Sequence, residues 1–503
     1  MEVKKIREIN ILIDVEKEFV KKVEYVFRTY CTILQLNPVF YYGNSRKHID
    51  IYYGSKLITH YPLTIKHKQD TSTFFLDNKY YPQFKVRFNN YKNEKIPFFF
   101  SDPGPIYSVG VKTVQINKDI IASGFYFLSC WKEYVNKKNI DPDVRFKYEN
   151  SMQYKWDFAE IPVVDAYCDI LDNMLELSFP DYEAGYRWKN ESSFCMTLSH
   201  DIDYWDVWSK EHFKEIMSYN WNRITKNPLR SLYKIVGHTL TKKIYSPEKD
   251  ILRILKKEKK LQVKSTNFVL VQDNSDDGRR NYFSDEKYKK GVKKVFSDQH
   301  VGLHGSPDSA YYIKDTKKEL ERLQKLYPEQ LGYRSHKLSF QYQSTYDILE
   351  KMNLKYDASL GYWEHIGFRA GISFPFYPYN LDKDEPYNIL EIPLVVMDTT
   401  LISKAGMAQN PFVASYRLSK LIQRARKFQS HISVLWHNNT FDSIDFPGWT
   451  WLYWSLIRRA KKNQAWVCSS DDLYDYWINR TNEQKASEEK EKAEVEEINN
   501  YNI

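Results

Sequence analysis

The sequence predicts an α/β protein of two domains, with a parallel, closed or partly closed barrel in residues 190–480 behind a smaller α/β domain in residues 1–185. Three observations predict it. At 503 residues the chain is too long for one ordinary hydrophobic core. From Phe194 onward, short apolar runs alternate with helical stretches, the pattern of parallel strands joined by helical crossovers. Polar residues able to do chemistry fall where those runs end, as in barrels whose sites sit at the strand ends.

In the first 185 residues, 49–53 and 84–88 read as strands, the second by strict alternation. Residues 96–100 run into the turn Asp102-Pro103-Gly104-Pro105. A helix is predicted from Asp119 to about Val135. Another begins near Pro162, where proline suits a first turn, and carries Val164, Tyr167, Cys168, Leu171, Met174 and Leu175 at helical spacing. In the second region the strand candidates are 194–199, 267–271, 300–304, 331–336, 389–397, 432–437 and 466–469. Helices are predicted at 315–326 and 415–427 among others. Residues 482–503 are rich in Glu and Lys and read as a frayed helix or flexible tail.

Composition narrows the function classes. The 40 Tyr, 28 Phe and 13 Trp suit contact with sugar rings, although most are expected to pack with a polar tip at the surface. A net charge of +9 does not by itself imply nucleic acid, and none is expected as a partner. Residues 206–260 hold 14 Lys/Arg against 6 Asp/Glu, so most of the surplus sits in one aromatic, basic insert at about 205–262. That insert reads either as a solvated helical face or as peripheral contact with a membrane or acidic glycan. Cys31, Cys130, Cys168, Cys195 and Cys468 have no CxxC spacing, which argues against a disulfide framework or structural zinc. The charged start and the absence of a long apolar run lead to the expectation of a cytoplasmic protein, with membrane-surface association as an option and no spanning segment.

Four segments carry candidate chemistry. In Thr197-Leu198-Ser199-His200-Asp201-Ile202-Asp203, extended geometry puts Asp201 and Asp203 on one face. Two carboxylates so placed repel unless a cation or proton lies between them. His200 falls on the other face and is expected to be structural. In Val301-Gly302-Leu303-His304-Gly305-Ser306-Pro307-Asp308, an apolar strand delivers His304 to a turn, with Asp308 as an oxygen donor. In Gly332-Tyr333-Arg334-Ser335-His336, Arg334 could hold a carboxylate in two-pronged fashion. In Ser433-Val434-Leu435-Trp436-His437-Asn438-Asn439, a strand ends on His437, a residue suited to acid catalysis near neutral pH.

The order of these motifs resembles the polysaccharide deacetylase family, also called the NodB-homology or carbohydrate esterase family 4 group, over residues 194–477. Asp357-Ala358-Ser359-Leu360-Gly361-Tyr362 resembles that family's fourth motif. Asp119–Tyr126 in sequence, Pro162-Val163-Val164-Asp165, Gly367-Phe368-Arg369-Ala370-Gly371 and Glu391-Ile392-Pro393-Leu394 resemble a bacterial subgroup with an extra N-terminal domain, associated with cell-surface polysaccharide assembly. The resemblance implies a distorted (β/α)7 barrel that removes acetyl groups from N-acetylated sugars with a divalent metal. It implies Asp201 as base, His437 as general acid, Arg334 as the group orienting the base, and Asp203 and His304 as metal ligands. Asp308 stands where the family has its second histidine and is the third expected ligand. His336 stands where the family often has proline, and is either a replacement ligand or a packed side chain. Tyr204, His336 and Trp436 are the expected substrate contacts. The ion expected is zinc, with cobalt, nickel or manganese as alternatives. The expected partner is an N-acetylated glycan or a lipid-linked precursor. The rival readings are a degenerate barrel that binds glycan or partner enzymes without turnover, and an O-acetyl esterase.

Overall fold

The computed structural model describes residues 7–482 apart from 44–47, 57, 69–71, 80–85, 137–140, 142, 144, 206–235, 237–246, 274–277, 444 and 445. Most of the predicted insert, the tail beyond residue 482 and the start of the predicted 84–88 strand lie outside the described residues.

The first region is built on strands β1 (Arg7–Asp14), β2 (Leu36–Tyr42), β3 (Ile51–Gly54), β4 (Leu63–Lys66), β7 (Tyr107–Val109) and β8 (Val114–Ile116), with β5 (Arg87–Tyr91) and β6 (Glu94–Phe98) forming a separate hairpin. Their sheet order is β2-β1-β3-β4-β8-β7, parallel except where β7 meets β8. The helix predicted from Asp119 is capped by that residue, whose Oδ1 accepts the Ala122 N–H at 2.9 Å. It ends at Leu128, short of Val135, because Cys130 turns left-handed at φ 44° before a separate turn, Trp131–Val135. Pro162 is the N-cap of the helix Val163–Ser178, in which the predicted stripe Val164, Tyr167, Cys168, Leu171, Met174 and Leu175 is buried.

The second region holds β9 (Phe194–Ile202), β10 (Thr266–Leu270), β11 (His300–Gly305), β12 (Tyr333–Ser335), β13 (Tyr356–Asp357), β16 (Leu390–Glu391), β17 (Val396–Met397), β18 (His431–Leu435) and β19 (Ala465–Ser469). A small hairpin, β14 (Tyr379–Asn380) and β15 (Glu385–Pro386), stands apart. The large sheet runs β16-β13-β12-β11-β10-β9-β18-β17, all parallel, with β19 also on β9. It has nine strands where the sequence predicts seven. The run 389–397 divides into two short strands that do not pair with each other, and Tyr356–Asp357 adds a strand too short to show a period. The ring is therefore open between β16 and β17. All nine residues of β9 are buried, as expected for a parallel strand covered on both faces. Helices such as Pro411–Phe428 and Trp449–Lys462 supply one covering layer.

The two regions share apolar contacts: one buried cluster includes Ile9, Val26, Phe125 and Leu171 together with Leu303, Tyr333, Phe374 and Trp477. Buried polar contacts cross the same boundary. The Asp165 carboxylate accepts the Ser373 N–H at 2.9 Å, and Arg369 pairs with Glu133 at 2.6 Å. All five cysteines are buried and free, with Cys195 and Cys468 Sγ atoms 3.9 Å apart. No helix among the described residues is long and apolar enough to cross a membrane.

His431 gives this core a pH dependence. Its Nδ1–H donates to the Ser373 carbonyl at 3.0 Å and its Nε2 accepts the Thr197 hydroxyl at 2.9 Å, a fully buried neutral imidazole. Burial depresses its pKa to about 4. Its contribution is therefore complete above the unfolded value near 6.5 and is lost as pH falls from there through about 4, an effect on the order of 3 kcal/mol. Asp165, pushed up to about 6 by burial, acts in the opposite sense as it protonates. The difference between wild type and His431→Gln isolates the histidine: denaturant titrations from pH 7 to 4.5 should show a shallower loss of stability in the variant. Parallel losses would remove this assignment.

Candidate metal and acid–base site

The strand register brings the predicted motifs together. Asp201 lies opposite Phe268, Leu270 opposite His304, and His304 opposite Arg334, so four consecutive parallel strands end near one level. Alternation sends Asp201 and Asp203 to the inner side and His200 outward. There His200 donates from Nδ1 to the Trp436 carbonyl at 2.7 Å, and its Nε2 lies 3.0 Å from Glu258.

At the inner side, His304 Nε2 lies 3.2 Å from Asp203 Oδ1 and 3.5 Å from Asp201 Oδ2. His336 Nε2 lies 3.7 Å from Asp203 Oδ2. All four residues are buried. His304 Nδ1–H donates to the Arg334 carbonyl at 3.0 Å, which fixes the ring and turns its Nε2 toward the carboxylates. Burial works against the Asp203 charge, yet the imidazoles of His336 and His304 hold this carboxylate well below its usual range. Burial likewise disfavours a charged His304, but Asp201 and Asp203 raise its pKa; at His336 burial prevails and lowers it.

Asp203, His304 and His336 each offer one donor atom within 4.8 Å of the others. Asp203 Oδ1, Asp201 Oδ1, His304 Nε2 and His336 Nδ1 are buried without a hydrogen-bond partner. Buried polar atoms left open in this way are costly unless something else satisfies them. Two imidazoles and a carboxylate fit a zinc-type ion with an open position, so the donor set suits the expected group.

Asp308 does not join these three. After β11 the chain turns through Pro307 into the one-turn helix Asp308–Ala310, leaving Asp308 exposed, with its carbonyl accepting from Tyr311 and Tyr312. His336 supplies the third donor instead. It opens a tight turn in which Lys337 and Leu338 are both left-handed, φ 59° and 53°. That conformation costs a non-glycine residue on the order of 1–2 kcal/mol.

His437 follows β18 and faces the same cluster. Its Nδ1–H donates to Asp398 Oδ1 at 2.6 Å and its backbone N–H to Asp398 Oδ2 at 2.8 Å. Burial opposes its charge, but Asp398 first, then Asp203 and Asp201, raise its pKa to about 10. The imidazolium therefore persists at neutral pH with Nδ1 committed to Asp398 and Nε2 left to act. Asp398, wholly buried, is not among the residues the sequence singles out; it follows β17, a strand of only two residues.

Arg334 is buried but forms no ion pair with Asp201. Among the described residues no carboxylate lies within 4 Å of its guanidinium, which sits 5.0 Å above the Phe268 ring with Nη2 3.4 Å from Ser199 Oγ. Its backbone carbonyl, not its side chain, supports the triplet. Trp436 is also placed elsewhere. One residue before His437, it points to the opposite face and packs against Tyr453 and Trp449 in the core. Tyr204 stays near the cluster: the Arg280 guanidinium lies 5.1 Å from its ring and 3.8 Å from Asp203. The Asn438 amide donates to the Tyr204 carbonyl at 2.8 Å. Arg280 lies in a 3-10 segment, Gly278–Ser284, interrupted at Asn281, which leaves no periodic signal in the sequence.

A family model described as a family of unknown function (DUF7033) matches residues 11–180. No curated protein matches the chain. Among solved structures, a candidate polysaccharide deacetylase from Mycobacterium smegmatis is 15% identical, covering 58% of this chain and 93% of its own, with a TM-score of 0.39. The Puue allantoinase is 12% identical, covering 59% and 94%, with a TM-score of 0.39. A mutant of a CE4-family pseudoenzyme with restored enzymatic activity is 13% identical, covering 56% and 67%, at 0.28. Similarity at this level assigns no activity to the chain.

Proposed function

We propose that this chain is a metal-dependent hydrolase that removes acetyl groups from an N-acetylated sugar. The observation that carries this reading is the buried Asp203–His304–His336 set with a second carboxylate, Asp201, against it and a charged His437 facing it. Asp203, His304 and His336 would hold the ion. A divalent ion there supplies Lewis acidity toward the acetyl carbonyl and toward water. Asp201, with Oδ1 free, accepts the proton of the attacking water. His437 donates its Nε2 proton to the departing amine while Asp398 holds its ring. Tyr204 and Arg280 stand beside Asp203 as sugar contacts.

The substrate class is a glycan precursor of a cell-surface polysaccharide, met at the cytoplasmic side of a membrane through the basic segment at about 205–262. Flotation with anionic liposomes tests that contact, and protein left unbound removes it. The reading as a whole is tested by metal analysis with acetate release from N-acetyl and O-acetyl oligosaccharides. About one divalent ion per chain and metal-dependent acetate from N-acetyl substrates are expected. Bound metal without acetate from either class would favour a barrel that binds glycan without turnover, and acetate from O-acetyl sugars alone would favour an esterase.

A further inference from the structure

The third donor, His336, stands on a left-handed turn whose Leu338 packs with Leu394, Met397 and Leu435 of the barrel. Arg145, within the 11–180 stretch matched by the DUF7033 model, closes on the same turn from the other side. Its Nη1–H donates to the Lys337 carbonyl at 3.1 Å, one residue past His336. Its backbone forms a parallel bridge with Phe340. The guanidinium is held from behind, with Nε–H donating to Asp141 Oδ2 at 2.7 Å and Nη2–H to Asp143 Oδ2 at 2.9 Å. Asp143 also accepts Lys337 Nζ–H at 3.1 Å, so two carboxylates and an arginine grip the turn from both its main chain and its side chain. The guanidinium carbon lies 4.2 Å from the Trp363 ring centroid, and Trp363 packs against the apolar cluster that holds Leu338, the second left-handed residue.

Resting on the metal-centre reading above, we propose that the N-terminal region completes the ion site by clamping the His336 turn, with Arg145 as the positioning residue. The turn is held in a conformation its side chains disfavour, and among the described residues the hydrogen bonds that reach Lys337 from outside the barrel come from Asp143 and Arg145. Loss of the clamp lets Lys337 and Leu338 relax and moves the His336 imidazole away from Asp203. Asp203 and His304 stay where β9 and β11 put them. The role of the N-terminal region toward the barrel is then to set ion affinity rather than to touch substrate.

The test is zinc affinity of the full-length chain by competition with a chromophoric chelator, in wild type, Arg145→Ala, His336→Ala and the double variant. Arg145→Ala is expected to weaken zinc binding by about 10–100-fold, the size typical of groups that orient a ligand. In the His336→Ala background the same change is expected to do nothing further, because the group it positions is gone. An unchanged affinity in Arg145→Ala overturns the proposal. So does an equal loss in both backgrounds, which is the signature of general damage. If Arg145→Ala does not fold, Asp143→Asn at a half-exposed position reads the same coupling, with a several-fold weakening expected and no change overturning the proposal. A wild-type chain that binds no zinc overturns the metal-centre reading and this inference together; zinc bound alike by all folded variants of the clamp overturns the clamp alone.

Discussion

Alanine at Asp203, His304 or His336 is expected to yield a chain that retains no divalent ion through gel filtration, while Asp308→Ala retains it. The three donors lie within 4.8 Å of one another and are buried, whereas Asp308 is exposed on a different turn. Removing one of three protein ligands leaves two, which weakens the hold enough for the ion to be stripped during gel filtration. Hydrolysis should fall on the order of 10³-fold or more, because polarisation by the ion is worth several kcal/mol of barrier. Elemental analysis beside an acetate assay reads both effects. Loss of the ion in Asp308→Ala with retention in His336→Ala would reverse the ligand assignment.

The second large effect is expected at Asp398. Asp398→Asn keeps the shape of the side chain but removes the charge that holds His437 protonated, and offers an amide where Nδ1–H needs an acceptor. Mispositioning the acid and disfavouring its charged form should lower kcat by about 10²–10⁴-fold, the range for losing general acid function or the group that orients it. The sign of the pH effect follows from the shift. In wild type the acid form survives up to about 10 and is lost as pH rises through that value. Without Asp398 the pKa falls, with only Asp203 and Asp201 left to raise it, so the alkaline limb of the kcat profile should move to lower pH. An alkaline limb that stays in place would separate Asp398 from the acid function.

Much of this site was legible because apolar strands announce their own ends. Asp201, Asp203, His304 and His437 sit at or just past the ends of buried, largely apolar stretches, and those stretches are β9, β11 and β18. Asp398 follows a strand of two residues, too short to leave a period, so the residue with the strongest grip on His437 carried no signal. The exchange of Asp308 for His336 has a different cause. Spacing along one loop favours the donor four residues on, but the sequence does not show that Pro307 turns this loop outward, or that residues distant in the chain hold His336 inward. Trp436 was drawn to the site by adjacency to His437, although strand parity puts neighbours on opposite faces. The N-terminal helices were legible from capping and periodicity; the five-stranded parallel order that packs beside them depends on pairings that no local pattern reports.

The double pairing of β9 bears on how the chain is made. This strand is buried on both faces and hydrogen-bonds along both edges, yet one edge is completed by β18 and the first half of the other by β19, with β10 taking the rest. His431, which pairs with Cys195, is synthesised 236 residues after it; at about 5–20 residues per second that is roughly 12–47 s of waiting. During that interval an apolar strand with an unsatisfied edge emerges from the ribosome before its partners exist. Truncations ending before residue 469 would make the interval permanent, and such fragments should accumulate as aggregates rather than as smaller soluble barrels.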